Sequence, residues 1–388
     1  MTLFYNDIRP GRPQTHMLVI GVGAYPHLKD GIPDQLNYDW AGRLGQLSSP
    51  PRSARAFAEW AVDKQKGFNN PAAPLGSVDL LLSEHLQAQQ GERLATMDEI
   101  EKALWNWVNR CNAHEESIAI FYFCGHGLMI GEAQLLLARD FADPNYDEFR
   151  NALHFNQMHI GLGDKCLTPY KYLFIDACSN ISASNKSPNA ARAVFSGGGP
   201  HRLGYAIIAS SPGEMAFSEE GQISMFTDVL LTCLRGMGCE RTDPPDNLWA
   251  ITGWSLYQML CKIYEYRYKK NDPFAPFYEM GRPNKRPMHV YKEPPPPGVP
   301  VIISFDPEAL GQACLTLRHI TNMYRFARTT PQSSEWELPE VPAGEYYLSV
   351  KFPARHYQDI EGVDITILPP GPWPIQQPLS LRLLPLST

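Results

Sequence analysis

Two short stretches of the chain hold side chains reactive enough for covalent chemistry. "YFCGHG", residues 122–127, and "FIDACSN", residues 174–180, each close an apolar run and deliver His126 and Cys178. A thiol attacks a carbonyl only as thiolate, so a nucleophilic cysteine needs a base or cation beside it, and a histidine at a neighbouring strand end can serve. Gly125 and Gly127 flank the histidine and leave the backbone uncovered there. That suits a substrate lying against the chain, with the N–H of Gly127 and the N–H of Cys178 holding a developing oxyanion. Asp176 stands two residues before Cys178, and strand alternation turns it to the same face, as a pocket wall or an orienting carboxylate. Taken singly, a cysteine or histidine in an apolar run is more often a packed core residue; the pairing is what argues for chemistry.

The elements that must position these groups are legible as alternating strands and helices. "HMLVIGVGAY" is an unbroken β-branched and aliphatic run, as a strand covered on both faces reads. After an irregular stretch to about Ser49, "SPPRSARAFAEWAVDK" opens on proline and spaces Ala54, Phe57, Ala58 and Ala61 as an amphipathic helix does. "VDLLLSE" supplies a second strand. In "ATMDEIEKALWNWVNRC", Thr96 and Glu99 form a capping-box pattern ahead of a stripe of Ile100, Leu104 and Trp107. "SIAIFYFCG", "QLLLARD", "YKYLFIDAC" and "YAIIASS" follow as strands, and "ISMFTDVLLTCLRGM" and "LWAITGWSLYQMLCKIYEYRYKK" as helices. The pattern predicts an α/β fold with a doubly wound, mostly parallel sheet flanked by helices, whose reactive residues collect beyond the carboxyl ends of the strands.

"KEPPPPGVP", residues 292–300, is a polyproline stretch that reads as a linker. Residues 1–291 are therefore expected to form one domain. Residues 301–388, with "VIISFD", "ACLTLRHI", "EWELPEV", "GEYYLSVKF", "VDITILP" and "PLSLRLLP" at roughly ten-residue intervals, are expected to form a small all-β sandwich.

Composition narrows the function classes. With 34 basic against 41 acidic side chains, a formal charge of −7 and no Lys/Arg stripe, nucleic acid is not an expected partner. The eight cysteines show neither a disulfide framework nor paired zinc-ligand spacing, which fits a reducing cytoplasm. The start lacks a signal-peptide pattern, and no run reaches a membrane span of about 20 apolar residues, so a cytoplasmic protein without a membrane partner is expected.

His126 precedes Cys178 by 52 residues, near the roughly fifty-residue offset of caspases. In that order, "YFCGHG" and "FIDACSN" resemble the histidine and cysteine motifs of caspase-like cysteine proteases, particularly metacaspases and their bacterial relatives. "LVIGVGAYP", "AIIASSPGEMAFSEEG" and "FTDVLL" add to a likeness covering roughly residues 15–265. The resemblance implies His126 as general base and acid, Cys178 as nucleophile, and Gly127 with Cys178 as oxyanion donors. It implies that Asp176 lines the S1 pocket and selects Arg or Lys at P1, and that Ala209, Ser210 and Ser211 pair with substrate backbone. A protein or peptide substrate, self-processing or activation by a partner, a regulatory protein docking on the C-terminal domain, and a role in bacterial defence or regulated proteolysis are further implications.

The chain departs from the family in several places. "DACSN" does not meet the caspase signature around the nucleophile, so aspartate specificity is not expected. Where many metacaspases carry a second S1 acid, this chain reads "SSPPRSARAF", leaving Asp176 with Glu214 or Glu219 as substitutes. No cofactor is required by this chemistry, and the sequence offers no acidic cluster for the calcium activation common in metacaspases. Lys186, Arg192 and Arg202, in a Ser/Asn/Gly-rich loop, are expected as exposed self-cleavage sites.

Other readings compete. "GVGAYP" has two glycines of a dinucleotide fingerprint but Pro26 in the third place and no capped helix. Cys124 and His126 make a poor zinc site without a second pair, and Cys124 reads as a core residue. Asp140 and Asp143 read as turn residues, and at least one of Trp105 and Trp107 as core. An inactive caspase-like scaffold that binds a peptide in the same groove, and a different thiol enzyme such as an acyl transferase or amidase, remain as alternative functions.

Overall fold

From Thr15 to Val22 every residue is buried, as an unbroken aliphatic strand requires when both faces of its sheet are covered. The structure is a computed structural model that describes residues 3–32, 44–87, 93–178, 188–195, 204–209, 221–242, 248–268, 277–281, 286–291, 298–321, 324–367 and 375–378. The first elements are β1 (Tyr5–Asn6), β2 (Thr15–Val22), α1 (Ser49–Val62), β3 (Leu75–Ser83), α2 (Met97–Cys111) and β4 (Ile118–Ile130). Then come β5 (Ala133–Leu137), β6 (Ala152–His154), α3 (Phe155–Lys165), β7 (Tyr170–Cys178), β8 (Tyr205–Ala209) and α4 (Met225–Thr232). β9 (Glu240–Arg241), β10 (Trp249–Ile251), α5 (Gly253–Tyr268), β11 (Phe277–Met280) and β12 (His289–Tyr291) follow. The chain continues through β13 (Val299–Ser304), α6 (Pro307–Leu310), β14 (Cys314–His319), β15 (Arg325–Arg328), β16 (Trp336–Val341), β17 (Gly344–Lys351), β18 (Ile360–Ile367) and β19 (Ile375–Pro378).

Two compact units divide the chain. Met1–Leu231, Thr252–Tyr257 and Pro273–Val290 form the first; Thr232–Ile251, Gln258–Asp272 and Tyr291–Thr388 form the second. The division differs from a single cut at 292–300, because 232–251 and 258–272 group with the strands that follow the proline stretch.

In the first unit the sheet order is β1-β3-β2-β4-β7-β8-β11, with β5 and β6 continuing from β4 as antiparallel additions. β3, β2, β4, β7 and β8 run parallel, and β1 and β11 close the two edges antiparallel. Helices cover both faces. Phe57 of α1 stacks on Tyr122 with ring centroids 4.7 Å apart, while Trp107 of α2 meets Phe121 at 6.2 Å. Phe121 and Tyr122 are successive residues of β4 and so point to opposite faces, which makes the sheet doubly wound as expected.

Local signals explain the helix starts. Pro50 and Pro51 open α1, and Thr96 caps α2 by accepting from the Glu99 N–H at 3.4 Å. The stretch from Leu248 differs from its expected single helix. Trp249–Ile251 is a strand, and the helix begins at Gly253 behind a reciprocal cap in which Ser255 N–H donates to Thr252 Oγ1 and Thr252 N–H to Ser255 Oγ. α4 ends early in a π turn over Cys233–Met237, where Gly236 takes φ 125°.

In the second unit β15-β14-β17-β18 form an antiparallel sheet in which Leu315, Leu317, Tyr346, Leu348 and Val350 alternate inward. β13 pairs antiparallel with β16 and parallel with β19. The expected strand "PLSLRLLP" lies outside the described residues apart from Pro378. The seven cysteines whose side chains are described are free thiols.

Candidate active site

β4 and β7 run parallel in unbroken register from Ile118 opposite Tyr170 to His126 opposite Cys178. The two reactive residues are therefore Cα partners at adjacent strand ends, and adjacent strands lie about 4.8 Å apart. His126 Nε2 lies 2.8 Å from the carbonyl oxygen of Gly45. A carbonyl only accepts, so this bond fixes the proton on Nε2 and leaves the Nδ1 lone pair of the neutral ring for another proton. Burial pushes the His126 pKa down to about 4 against an upward pull from the Gly45 carbonyl, so the ring is neutral at pH 7. The His126 backbone N–H donates to the Tyr25 hydroxyl at 2.9 Å, and the two rings pack with centroids 4.9 Å apart.

A clamp formed by the segment after β2 holds the Gly45 carbonyl in place. Gln46 Oε1 accepts from Tyr25 N–H at 2.7 Å, and its Nε2 donates to the carbonyls of Tyr25 and Lys29, each at 2.9 Å. Leu47 N–H donates to the Gly23 carbonyl at 2.8 Å. A Cβ on Gly23 would sit 2.2 Å from the Leu47 carbonyl oxygen, so the glycines of "GVGAYP" serve close backbone packing and not a cofactor turn. A Cβ on Gly125 would come within 2.9 Å of the Tyr25 hydroxyl and 3.2 Å of the Val22 carbonyl. Gly127 is buried in the β4–β5 hairpin opposite Leu136.

Asp176 and Cys124 are register partners on β7 and β4, and both are buried. Asp176 Oδ2 accepts from Ser224 Oγ, from Thr227 Oγ1 at 3.0 Å and from Cys124 Sγ at 3.2 Å. Ser224 precedes α4 and accepts the Thr227 N–H at 3.1 Å, so the carboxylate faces the first turn of a helix, where negative charge is favoured. Burial raises the Asp176 pKa, and the Ser224, Cys124 and Thr227 bonds oppose that rise. Ser53, in the segment where a second acid was absent, joins the network by accepting the Ser224 N–H at 2.9 Å.

Two expectations change. Ala209 does not present an open strand edge: β11 pairs antiparallel with β8 and sets Phe277 opposite Ala209. Ser210 and Ser211, like Glu214 and Glu219, lie outside the described residues. Arg192 is not a free loop cation. Its guanidinium bonds Asp98 at 2.6 Å and Glu101 at 2.9 Å on α2, and its backbone bridges Ala152 and His154. Lys186 and Arg202 lie outside the described residues. Trp107 is buried with its indole N–H on the His16 carbonyl at 2.9 Å, whereas Trp105 is partly exposed with its ring edge-on to Phe195. Asp140 accepts from Met97 N–H and Asp143 from Asn145 N–H, both at 2.9 Å, as turn and cap residues do.

Sequence reasoning missed Gly45, Gln46 and Tyr25 on the histidine side and Ser53, Ser224 and Thr227 on the aspartate side. Among the described residues, no group of three or more His, Cys, Asp or Glu side chains gathers as a metal site would need, and no helix is long and apolar enough to cross a membrane.

Comparison with known proteins bears on this geometry. Residues 65–252 match the family model described as the caspase domain, a segment that contains both strand ends. The uncharacterized protein y4kE of Sinorhizobium fredii (strain NBRC 101917 / NGR234) is 28% identical over 217 residues, covering 53% of this chain. The chain spans 62% of that relative's length. Among solved structures, the crystal structure of caspase-1 from Spodoptera frugiperda aligns with a TM-score of 0.40 at 15% identity over 74% of this chain and 93% of the other. A structure titled pro-sf-caspase-1 aligns with a TM-score of 0.37 at 13% identity over the same shares. The likeness to the caspase domain thus extends over residues 65–252, a segment that holds both His126 and Cys178.

Proposed function

We propose that the protein is a cysteine endopeptidase working through a His126–Cys178 dyad and cutting after Arg or Lys. The observation that carries this reading is the register pairing of His126 with Cys178 at the ends of two parallel strands, with Gly45 holding the His126 tautomer that leaves Nδ1 basic. In the reaction, Nδ1 takes the thiol proton of Cys178 and the thiolate sulfur adds to the peptide carbonyl carbon. The oxyanion that forms is received by the backbone N–H groups of Gly127 and Cys178. The imidazolium then returns the proton to the departing amine, leaving a thioester. Water, deprotonated by the same ring, hydrolyses the thioester and regenerates the thiol. Asp176 supplies the negative charge for a basic P1 side chain, because no cation is paired with it among the described residues. Self-processing or partner activation, with the C-terminal unit as docking platform and bacterial defence or regulated proteolysis as setting, belongs to the same proposal.

The test is mass spectrometry of a mixed peptide library incubated with the purified full chain, with and without calcium. Cuts after Arg or Lys that vanish in both Cys178→Ala and His126→Ala are expected. Cuts that persist in Cys178→Ala would remove the nucleophile from the proposal.

A further inference from the structure

Hydrogen bonds reach Asp176 through one of its two oxygens. Ser224 Oγ, Thr227 Oγ1 at 3.0 Å and Cys124 Sγ at 3.2 Å all converge on Oδ2, and among the described residues no donor is directed at Oδ1. A carboxylate oxygen offers about two lone-pair sites, so two hydroxyls and a thiol fill Oδ2. Both hydroxyl oxygens are fixed in place by further bonds. Ser224 Oγ also accepts from Ser53 Oγ at 3.4 Å and from Thr227 N–H at 3.1 Å and lies 2.8 Å from Thr227 Oγ1, so its oxygen is held beside Asp176 by three further partners. Thr227 Oγ1 lies 2.5 Å from the Tyr122 hydroxyl, a bond in which either oxygen can donate and which holds the threonine hydroxyl beside Asp176. Two hydroxyl pairs, Tyr122 with Thr227 and Ser53 with Ser224, thus meet at the same carboxylate oxygen.

Resting on the peptidase reading, we infer that Ser224 and Thr227 make the Asp176 pocket a one-oxygen acceptor that favours a lysine ammonium over an arginine guanidinium at P1. A guanidinium reaches its full advantage by a fork of two parallel N–H bonds to both carboxylate oxygens. With Oδ2 filled, that fork closes on one side only and the second N–H meets an oxygen that has no lone pair to give. An ammonium is a compact charge with rotatable donors; it satisfies itself on Oδ1 and turns its other N–H groups towards water or neighbouring oxygens. Ser224 and Thr227 are on this account positioning residues, setting specificity through Asp176 without touching the reacting atoms.

The experiment compares kcat/KM for two peptides that differ only in Lys or Arg at P1, using the full chain, Thr227→Val and Thr227→Ser. The wild type is expected to favour Lys by about tenfold, the scale of one charge-assisted hydrogen bond made or lost. Thr227→Val, which keeps the volume and frees a site on Oδ2, is expected to move the ratio towards Arg, and Thr227→Ser to restore it. A ratio taken within one preparation is insensitive to a loss of folded protein. An equal or faster cut after Arg in the wild type, or an unchanged ratio in Thr227→Val, overturns the inference and leaves the peptidase reading standing. Cleavage after neither residue overturns both.

Discussion

The hydroxyl of Tyr25 is a single atom on which the histidine strand end depends, and Tyr25→Phe tests that dependence. The Tyr25 side chain is fully buried, its oxygen accepts the His126 backbone N–H at 2.9 Å, and the absent side chain of Gly125 makes room for it. Burial raises the phenol pKa strongly, so the group is a neutral hydroxyl at any working pH. Phenylalanine keeps the ring contact with His126 and deletes only the acceptor. The orphaned N–H then costs about 1–3 kcal/mol, the penalty for a buried donor left without a partner. For a unit of this size about 2 kcal/mol corresponds to a fall of about 4–8 °C in Tm. Urea unfolding at pH 7 reads the loss as a lower midpoint at constant slope. Turnover should fall in parallel, since the backbone that carries the imidazole is no longer pinned. A midpoint within about 0.5 kcal/mol of wild type, the scatter of neutral substitutions, would refute the claim that this bond anchors the strand end.

Gln46→Ala removes the three bonds that clamp Gly45 beside Tyr25 and Lys29. It is expected to lower kcat about tenfold, equivalent to ~1.4 kcal/mol, with KM little changed; steady-state kinetics on one peptide checks this, and a change confined to KM would count against it. A further expectation concerns acid. His16 and His289 are buried, and burial lowers both pKa values from 6.5 to about 4. A depressed folded pKa means that each is held neutral, that its stability contribution is complete above pH 6.5, and that it is lost as pH falls towards 4. By pH 5 each costs about 2 kcal/mol by proton linkage. Urea midpoints measured from pH 7 to pH 5 should fall accordingly, and a flat profile in both wild type and the two single histidine variants would defeat the assignment.

The two candidate strand ends were legible as a pair because their signals are local. An apolar run ending in Gly-His-Gly and another ending in Asp-Ala-Cys show residue types at odds with the preceding strand, and alternation alone put Asp176 and Cys178 on one face. The supports of those groups were not legible in the same way. Gly45 contributes a carbonyl, which every residue possesses, so no residue type announces it; Gln46 lies in a stretch without periodicity. Ser224 and Thr227 did carry a signal, a hydroxyl three residues before another at the start of an apolar run, but it reads as a helix cap. Its second role on Asp176 needs β7 beside it, a pairing far away in sequence. The expectation of an open edge at Ala209 failed for a related reason, since the four-residue edge strand that pairs Phe277 with Ala209 has too short a run to betray its partner. Arg192 looked free in a polar loop because the acids that hold it sit one turn apart on a helix almost a hundred residues earlier.

The two halves of the site are built on separate scaffolds that meet on one strand. His126 is held from the β2 side, by Tyr25 and by the Gly45 carbonyl that Gln46 secures. Asp176 is held from the helix side, by Ser224 and Thr227 at the start of α4 and by Ser53 of α1 behind them. β4 joins them, with Cys124 bonding Asp176 and His126 two residues further along opposite Cys178. Because β4 and β7 are fixed in register from Ile118 onward, the spacing of the His126, Cys178 and Asp176 backbone is set by strand pairing and not by any one side chain. Losing Tyr25 or Gln46 should therefore change how fast a bond is cut without changing which residue precedes it, and losing Thr227 should do the reverse. That separation would distinguish the proposed site, assembled on a pre-set frame, from a loop cluster in which every substitution disturbs rate and choice together.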